Sequence, residues 1–287
     1  MPELSHDATL RELRTDRGVL RYHEAGDGPP VVLLHGSGPG VTGWQNFREN
    51  LPSFAAHFRC LILEFPGFGV SDPVAEPPMP AAERAVLDLL DGLGISSADL
   101  VGNSMGGFVA TRTAIAQPER VRRLVTVGGM GTNLFSPAPG EGINLLTEFV
   151  EDPTRERLVQ WLNSMVFDRR LITDELIEER WRLATAPDSL ASAKKMYGKG
   201  VLQAQAAAAV DVTPLWATLR KIRARTLITW GRDDRVSPLD MALIPMRTIP
   251  HAELHILPNC GHWTMIEQKD AWESAVLAFL LRKDGER

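Results

Sequence analysis

The chain has 287 residues, of which 44% are hydrophobic and 23% charged, as is usual for a globular domain. Its formal net charge of −5 and its scattered arginines argue against a phosphate-binding face, so we expect no nucleic-acid partner. The two cysteines, the polar N-terminus and the lack of a bilayer-length apolar run favour a cytoplasmic protein with no disulfide framework, zinc site or membrane partner.

Strand-like and helix-like patterns alternate along most of the chain. Residues 13–26, "LRTDRGVLRYHEAG", predict a hairpin. The segments "AERAVLDLLDGLG" and "GGFVATRTAIAQPERV" have helical periodicity. Buried-strand patterns begin at six positions: Val31, Cys60, Ala98, Val121, Ala224 and Ala252. This alternation predicts an α/β fold with an open, mostly parallel, doubly wound sheet.

The alternation stops between about residues 130 and 211. This stretch begins with a loop rich in glycine and proline and continues with helix-forming segments such as "TRERLVQWLNSMVF" and "ITDELIEERWRLA". It contains no strand-like run. We therefore predict a core formed by residues 1–132 and 210–287, and an inserted all-helical cap formed by residues 133–209.

A candidate nucleophile lies in the sequence "GNSMG", residues 102–106. The pattern G-x-S-x-G stands between a predicted strand and a predicted helix, which is the context of a nucleophile elbow. Glycine is needed on both sides because the turn is tight and its backbone crowds the neighbouring elements. Such short matches also occur by chance in ordinary turns. The flanking elements favour Ser104 as the nucleophile.

A serine hydroxyl needs a neighbouring base, and the base needs an orienting acid. In this kind of sheet the three follow the order serine, acid, histidine. His262 is the histidine in the glycine-containing loop after the last predicted strand. Two acids compete in the preceding loop, and the spacing G-x-x-D-x-x-x-P favours Asp234 over Asp233. We expect His35, at the end of the first apolar run, to be structural, its ring bonding nearby backbone.

The loop after the first apolar run allows two interpretations. Residues 38–43 match G-x-G-x-x-G, and Glu64 follows about 20 residues later, as in a dinucleotide-binding fingerprint. However, Pro39 removes an amide from the motif, and the elbow occupies the same sheet edge. The alternative is an oxyanion hole formed by the backbone N–H groups of Ser37 and Met105, which we favour.

Four motifs together resemble those of the meta-cleavage-product hydrolases. These motifs are "HGSGPGVTGWQNF", "GNSMGGF", "WGRDDRVSPLD" and "CGHW", and the similarity extends into the cap at "NLFSPAPGEGINLL" and "LITDELIEERW". The family has the α/β-hydrolase fold and cleaves a C–C bond in ring-opened products of aromatic catabolism. The resemblance covers nearly the whole chain, and "SGPG" with "CGHW" is more specific than G-x-S-x-G alone.

The resemblance implies a substrate of the 2-hydroxy-6-oxohexa-2,4-dienoate type, no cofactor, no metal, and a homo-oligomer of two or more chains. It places substrate contacts at Gly36, Gly38, Asn46, Asn103, Phe167, Arg180 and Trp263. A guanidinium can clamp a carboxylate, and amides can hold the dienol oxygen. The residues alone instead predict that Arg180 is a surface cation beside Glu178 and Glu179. Asn46 reads as a helix-start residue, and Trp263 and Phe167 as core.

Several alternatives stay open at the sequence level. An ester hydrolase would use the same three residues, and the fold also serves non-catalytic ligand receptors. Ser104 either attacks the substrate ketone directly or activates water. The sequence does not define the distal substituent of the substrate, whether alkyl, phenyl or larger.

Overall fold

A computed structural model describes residues 4–208 and 215–283, and within them eight strands form one sheet. In chain order the strands are β1 Leu10–Thr15, β2 Gly18–Ala25, β3 Pro30–Leu34, β4 Arg59–Glu64, β5 Ala98–Asn103, β6 Val121–Val127, β7 Arg225–Gly231 and β8 Ala252–Leu257. The predicted hairpin is β1 and β2, and the six predicted buried strands are β3 to β8.

The spatial order of the strands is β1-β2-β4-β3-β5-β6-β7-β8. Strand β2 pairs antiparallel with β1 and β4, and all other pairs are parallel. The chain winds outwards from β3 to β4 and then resumes on the other side of β3 with β5. Ligands of such sheets bind at this reversal, at the carboxyl ends of the strands. The loops after β3 and β5 meet there.

The strands are apolar on both sides because helices cover both faces of the sheet. Successive side chains of β3 point to opposite faces, so Val31 and Leu33 belong to one buried cluster while Val32 and Leu34 belong to the other. All four are fully buried. This accounts for the continuous apolar runs in the sequence.

Helices fill the segments between the strands of the described residues. They are α1 His6–Thr9, α2 Gly43–Phe47, α3 Leu51–Ala55, α4 Pro78–Gly92, α5 Met105–Ala116, α6 Glu141–Glu151, α7 Arg155–Met165, α8 Asp174–Ala184, α9 Pro187–Tyr197, α10 Lys199–Ala208, α11 Leu215–Thr218, α12 Leu243–Thr248, α13 Thr264–Glu267 and α14 Lys269–Leu280. No helix among them has the length and apolar character needed to cross a membrane. The predicted α/β-hydrolase architecture, a mostly parallel sheet with helical layers, is confirmed.

Six α-helices of the described residues, α6 to α11, lie between β6 and β7, and we call the first five, α6 to α10, the cap helices. Their buried side chains, among them Leu146, Phe149 and Trp161, join the cluster on one face of the sheet. These helices therefore pack onto one face of the sheet through apolar contacts. The predicted boundary between residues 209 and 210 lies outside the described residues, and the division into core and cap stays a prediction.

Candidate active site

Ser104 occupies a tight turn between β5 and α5. Its backbone has φ 51° and ψ −114°, a conformation that side-chain-bearing residues rarely adopt. The flanking glycines make the turn possible. A Cβ at Gly102 would lie 2.2 Å from the carbonyl oxygen of Gly106, and a Cβ at Gly106 would lie 2.1 Å from that of Leu34. The strained turn raises Ser104 above the carboxyl edge of the sheet, as the elbow motif predicts.

The loops after β7 and β8 bring an acid and a histidine together. His262 Nδ1 lies 2.7 Å from Asp234 Oδ2, and both side chains are 1% exposed. The other carboxylate oxygen of Asp234 accepts the N–H groups of Val236 and Ser237, at 2.8 and 2.9 Å. Asp233 instead pairs with Arg232 near the surface. The geometry thus joins His262 to Asp234.

This contact sets the protonation pattern of the histidine ring. A carboxylate can only accept a hydrogen bond, so Nδ1 of His262 carries the proton and Nε2 is left as a base. The backbone N–H of His262 donates to the carbonyl oxygen of Met165, at 2.7 Å, which fixes the loop against the cap. His262 and Ser104 line the same cavity.

The loop after β3 is held by a network of buried polar groups. Asn46 Oδ1 accepts the N–H of Gly36 at 3.0 Å. His35 Nδ1 lies 2.6 Å from the Gly36 carbonyl oxygen, and its Nε2 accepts the N–H of Phe65 at 3.0 Å. The N–H of the next loop residue, Ser37, donates to no group in the described residues. It is therefore available to an oxyanion.

The second candidate donor is the N–H of Met105. Met105 is the first residue of α5, and the first amides of a helix have no partner within it. The positive end of the helix dipole lies at the same point. Met105 follows Ser104 directly, so its N–H is a candidate donor to the oxyanion that would form on a carbonyl group attacked by Ser104.

Glu64 has a role that differs from ribose binding. Its carboxylate accepts the N–H groups of Gly43 and Trp44, both at 2.8 Å, and so caps the start of α2. Burial alone would raise the pKa of Glu64, but His23, His35 and these two amides lower it below the ordinary value. The carboxylate of Glu64, the acid of the apparent dinucleotide motif, therefore holds the start of α2 in place instead of binding a ribose.

One small cavity lies between this sheet edge and the cap helices. Eight of the predicted site residues line it: Gly36, Ser37, Gly38, Asn103, Ser104, Arg180, His262 and Trp263. The rest of the wall consists of Val41, Ile143, Leu146, Trp161, Met165, Tyr197 and Val236. The cavity has a polar end and an apolar wall.

Arg180, on α8, is a buried cation of this cavity. Its side chain is 2% exposed, and no carboxylate of the described residues lies within ion-pair distance. The guanidinium donates one hydrogen bond to the Pro39 carbonyl oxygen, at 3.4 Å. It also lies over the face of the Trp263 ring, 5.4 Å from the ring centre. Burial lowers the pKa of Arg180 to about 10, so the guanidinium is still charged at neutral pH. Glu178 pairs with Arg155 instead.

Asn103 spans two strands at the polar end of the cavity. Its Nδ2 donates to the Val127 carbonyl oxygen at 3.1 Å and lies 3.5 Å from that of His262. Its Oδ1 makes no hydrogen bond to another described residue. The side chain is therefore held by its amino group, and its oxygen is free to accept from a ligand.

Comparison with known proteins decides the family. Residues 29–269 match the family model described as alpha/beta hydrolase fold. The chain is 41% identical to a 2-hydroxy-6-oxo-6-phenylhexa-2,4-dienoate hydrolase of Burkholderia cepacia, over 98% of this chain and 99% of that protein. It is 39% identical to a 2-hydroxy-6-oxononadienedioate/2-hydroxy-6-oxononatrienedioate hydrolase of Comamonas testosteroni, over 95% and 94%.

A solved structure of a meta-cleavage product hydrolase from Pseudomonas fluorescens IP01 has the same fold. It superposes with a TM-score of 0.84 at 31% identity and covers 94% of this chain and 97% of its own. The chain belongs to the meta-cleavage-product hydrolase family. The family resemblance of its sequence motifs is thus confirmed.

Two of the expected substrate contacts, Phe167 and Asn46, do not line the cavity of this meta-cleavage-product hydrolase and stay predictions. Phe167 does not line the cavity and its side chain is 49% exposed. The backbone leaves α7 in an extended conformation, so Val166 points inwards and Phe167 outwards. Asn46 supports the Gly36 amide from behind and does not line the cavity.

Two aromatic side chains of the cap helices line the cavity although no sequence motif singled them out. Trp161 on α7 and Tyr197 at the end of α9 both line the cavity of this hydrolase. Their helices carry no catalytic motif, and each aromatic residue fits the apolar stripe of an amphipathic helix. The available signal was weak: Tyr197 is one of only two tyrosines in the chain.

Proposed function

We propose that this enzyme hydrolyses the C5–C6 bond of a 2-hydroxy-6-oxohexa-2,4-dienoate, a ring-opened product of aromatic catabolism. The observation that carries the proposal is Arg180, a buried cation without a carboxylate partner in the cavity of Ser104 and His262. The charge of Glu179 acts on Arg180 from a distance, but no carboxylate of the described residues forms an ion pair with the guanidinium. Burying a charge without an ion-pair partner is costly unless a ligand supplies the counter-charge. The substrate carboxylate is that charge.

The cavity orients such a substrate from end to end. The carboxylate lies against Arg180, whose Nε has no hydrogen-bond partner and is available with a terminal nitrogen for a bidentate contact. The dienol O–H donates to Asn103 Oδ1. The distal ketone then lies by Ser104, and its substituent lies among the apolar side chains of the cap. Gly36, Gly38 and Trp263 form the adjoining walls.

Ketonisation is the first step. The dienol O–H turns from Asn103 Oδ1 to His262 Nε2, which removes the proton and then delivers it to C5. The dienol thus becomes a ketone with no net change in composition, and His262 is again a neutral base. Asp234 stabilises the imidazolium that forms in between. The new C2 ketone lets the bond between C5 and C6 break, because the departing carbon leaves as a conjugated enolate.

Addition to the distal ketone follows. Ser104 Oγ attacks C6 as His262 accepts its proton, and the resulting oxyanion is held by the N–H groups of Ser37 and Met105. Collapse of this intermediate breaks C5–C6, and the carbon fragment leaves as 2-hydroxypenta-2,4-dienoate after protonation. Water then hydrolyses the acyl-serine to a carboxylic acid. The overall reaction uses water alone, so no cofactor or metal is needed for its balance.

We also propose that the enzyme is cytoplasmic. Cys60 and Cys260 are both buried free thiols, which fits the reducing cytoplasm.

The family resemblance implies a homo-oligomer, and we propose one of two or more chains. Light scattering coupled to gel filtration would then give at least twice the mass of one chain. A single-chain mass at micromolar concentration would contradict this.

Replacing Arg180 tests the proposal. Arg180→Gln removes the charge that holds the carboxylate, and we expect kcat/KM for a dienoate to fall about 100-fold, since a charge-assisted contact contributes on the order of 2–3 kcal/mol. Hydrolysis of an uncharged p-nitrophenyl ester should change less than about threefold, because that substrate has no carboxylate.

Arg182→Gln is the matched control, since Arg182 is exposed on the same helix. It should leave both activities unchanged. Equal losses on dienoate and ester in Arg180→Gln would contradict the carboxylate contact and favour a general ester hydrolase with a structural arginine.

A further inference from the structure

A hydrogen bond joins the cap to the loop after β3 inside the cavity. It connects the hydroxyl of Tyr197, the last residue of α9, to the hydroxyl of Ser37. Both residues line the cavity with Ser104. Within residues 4–208 and 215–283 neither hydroxyl has another hydrogen-bond partner. The two hydroxyls therefore form an isolated pair beside the nucleophile.

The backbone next to Tyr197 is held firmly. The N–H of Gly198 donates to the Lys194 carbonyl oxygen at 3.1 Å, and the N–H of Lys199 donates to the Glu151 carboxylate of α6 at 2.8 Å. The ring itself packs against the apolar cluster that the cap shares with the core. The phenol is thus placed on Ser37 by contacts that do not depend on substrate.

The direction of this hydrogen bond follows from the chemistry of the two groups. A phenol is more acidic than an aliphatic alcohol, so the Tyr197 O–H is the stronger donor of the two hydroxyls and the Ser37 hydroxyl is the better acceptor. Tyr197 is accordingly the donor and Ser37 Oγ the acceptor. The single proton of Ser37 is then left for a group in the cavity.

We propose that Tyr197 is a positioning residue that directs the Ser37 O–H to the oxyanion formed at C6, as a third donor beside the N–H groups of Ser37 and Met105. This inference rests on the proposed function only for the identity of that oxyanion. Without Tyr197, the Ser37 hydroxyl would rotate freely and donate to water or backbone. Its donation to the substrate would then lose its preorganisation.

The position of the cap helices also affects the loop after β3, which carries Ser37. The same loop touches the cap a second time at Gly38, where a Cβ would lie 2.4 Å from the six-membered ring of Trp161. The loop is thus clamped by Trp161 and Tyr197 from two cap helices. The third oxyanion donor is assembled only when the cap is seated on the core.

A double-mutant cycle tests this. Tyr197→Phe keeps the ring and removes its hydroxyl, and Ser37→Ala removes the hydroxyl but keeps the backbone N–H. We expect each variant to lower kcat about tenfold, as for one lost hydrogen bond in the transition state, with KM within about twofold. The double variant should be no slower than Ser37→Ala alone, because Tyr197 acts through Ser37.

Tyr22→Phe is the matched control, since Tyr22 is the other tyrosine and is buried in β2 away from the cavity. It should leave kcat unchanged. The proposal would be overturned if the kcat loss of the double variant were the product of the two single-variant losses. An unchanged kcat in Tyr197→Phe would also overturn it. If Tyr197 had a purely structural role, Tyr197→Phe would lower the melting temperature. It would also lower kcat by the same factor in the wild type and in Ser37→Ala.

The cycle is measured on a dienoate and on a p-nitrophenyl ester, since both pass through an oxyanion. If the wild type cleaves only the ester, the proposed function fails while the coupling of Tyr197 to Ser37 is still tested. If the wild type cleaves the dienoate and the coupling is absent on both substrates, the positioning role alone fails.

Discussion

Two neighbouring acids in one loop have different surroundings. Asp234 is buried, with one oxygen on His262 and the other on two backbone amides, whereas the Asp233 side chain is 30% exposed beside Arg232. The spacing from Gly231 favoured Asp234 at the level of sequence. The reason is geometric, because Gly231 ends β7 and the turn that follows brings the third residue back towards the sheet edge.

Substituting these two acids separates their roles. Asp234→Asn places an amide against His262 Nδ1, which favours the wrong tautomer, and we expect kcat to fall about 10³- to 10⁴-fold. Asp233→Asn should stay within about threefold of wild type. Steady-state kinetics on a dienoate measures both, and comparable losses in the two variants would contradict the assignment of Asp234.

Residues outside the motifs were harder to place from sequence. Arg180 and its acidic neighbours Glu178 and Glu179 read as a solvated helix face, and only the resemblance pointed to the cavity. Burial of a helix side chain depends on what packs against the helix, which local sequence does not encode. The same limit explains why Phe167 was assigned to the cavity and Tyr197 was not.

At the scale of elements, the loop after β3 shows why a pattern of glycines is ambiguous. G-x-G-x-x-G was consistent with a pyrophosphate loop, yet here Gly38 makes room for the Trp161 ring and Glu64 caps α2. Glycine permits close approach by any partner, whether a ligand or a neighbouring helix. The elements that follow in the sheet resolve the ambiguity.

The strands and the mostly parallel, doubly wound character of their sheet were predictable, whereas the cap was predictable only as a helical insertion. Continuous apolar runs such as β3 and β5 report burial on both faces, and their alternation with helices restricts the topology. Cap helices pack through amphipathic stripes that do not specify partners. Which side chains of α7 and α9 reach the cavity therefore required the structure.

The loop that leads from β6 towards the cap is anchored by a carboxylate. Asp240 Oδ2 accepts the N–H groups of Leu134, Phe135 and Ser136 at 2.7 to 3.2 Å, and its Oδ1 accepts the Ser136 hydroxyl. Burial alone would raise the pKa of Asp240, but these four donors lower it to about 2. The ionised carboxylate organises this loop.

Asp240→Asn should therefore lower the free energy of unfolding by about 2 kcal/mol at pH 7, as for lost hydrogen bonds to a charged group. Because the folded-state pKa is depressed, the contribution is present above pH ~4 and is lost as the pH falls towards 2. Urea unfolding at pH 7 and pH 3 measures it. Asp270→Asn, at a fully exposed side chain, is the control and should have no effect.

At the scale of the whole molecule, the proposed active site is assembled from segments far apart in sequence. Ser104, Asp234 and His262 come from loops after three different strands, and Arg180 comes from the cap. Parallel strands bring their carboxyl ends to one edge, and the cap closes that edge from above. A buried cation and a serine nucleophile in one small cavity favour a substrate with a carboxylate at one end and a ketone at the other.

The central claim is C–C bond hydrolysis, and the absorbance of the substrate tests it most directly. Ring-opened dienolates are strongly coloured, so purified enzyme mixed with a panel bearing methyl, phenyl and larger distal groups should bleach at least one at many turnovers per second. One equivalent of 2-hydroxypenta-2,4-dienoate and one of the carboxylic acid should form, and Ser104→Ala should bleach at least about 10³-fold more slowly. Absence of bleaching across the panel, together with rapid hydrolysis of a p-nitrophenyl ester, would contradict the account.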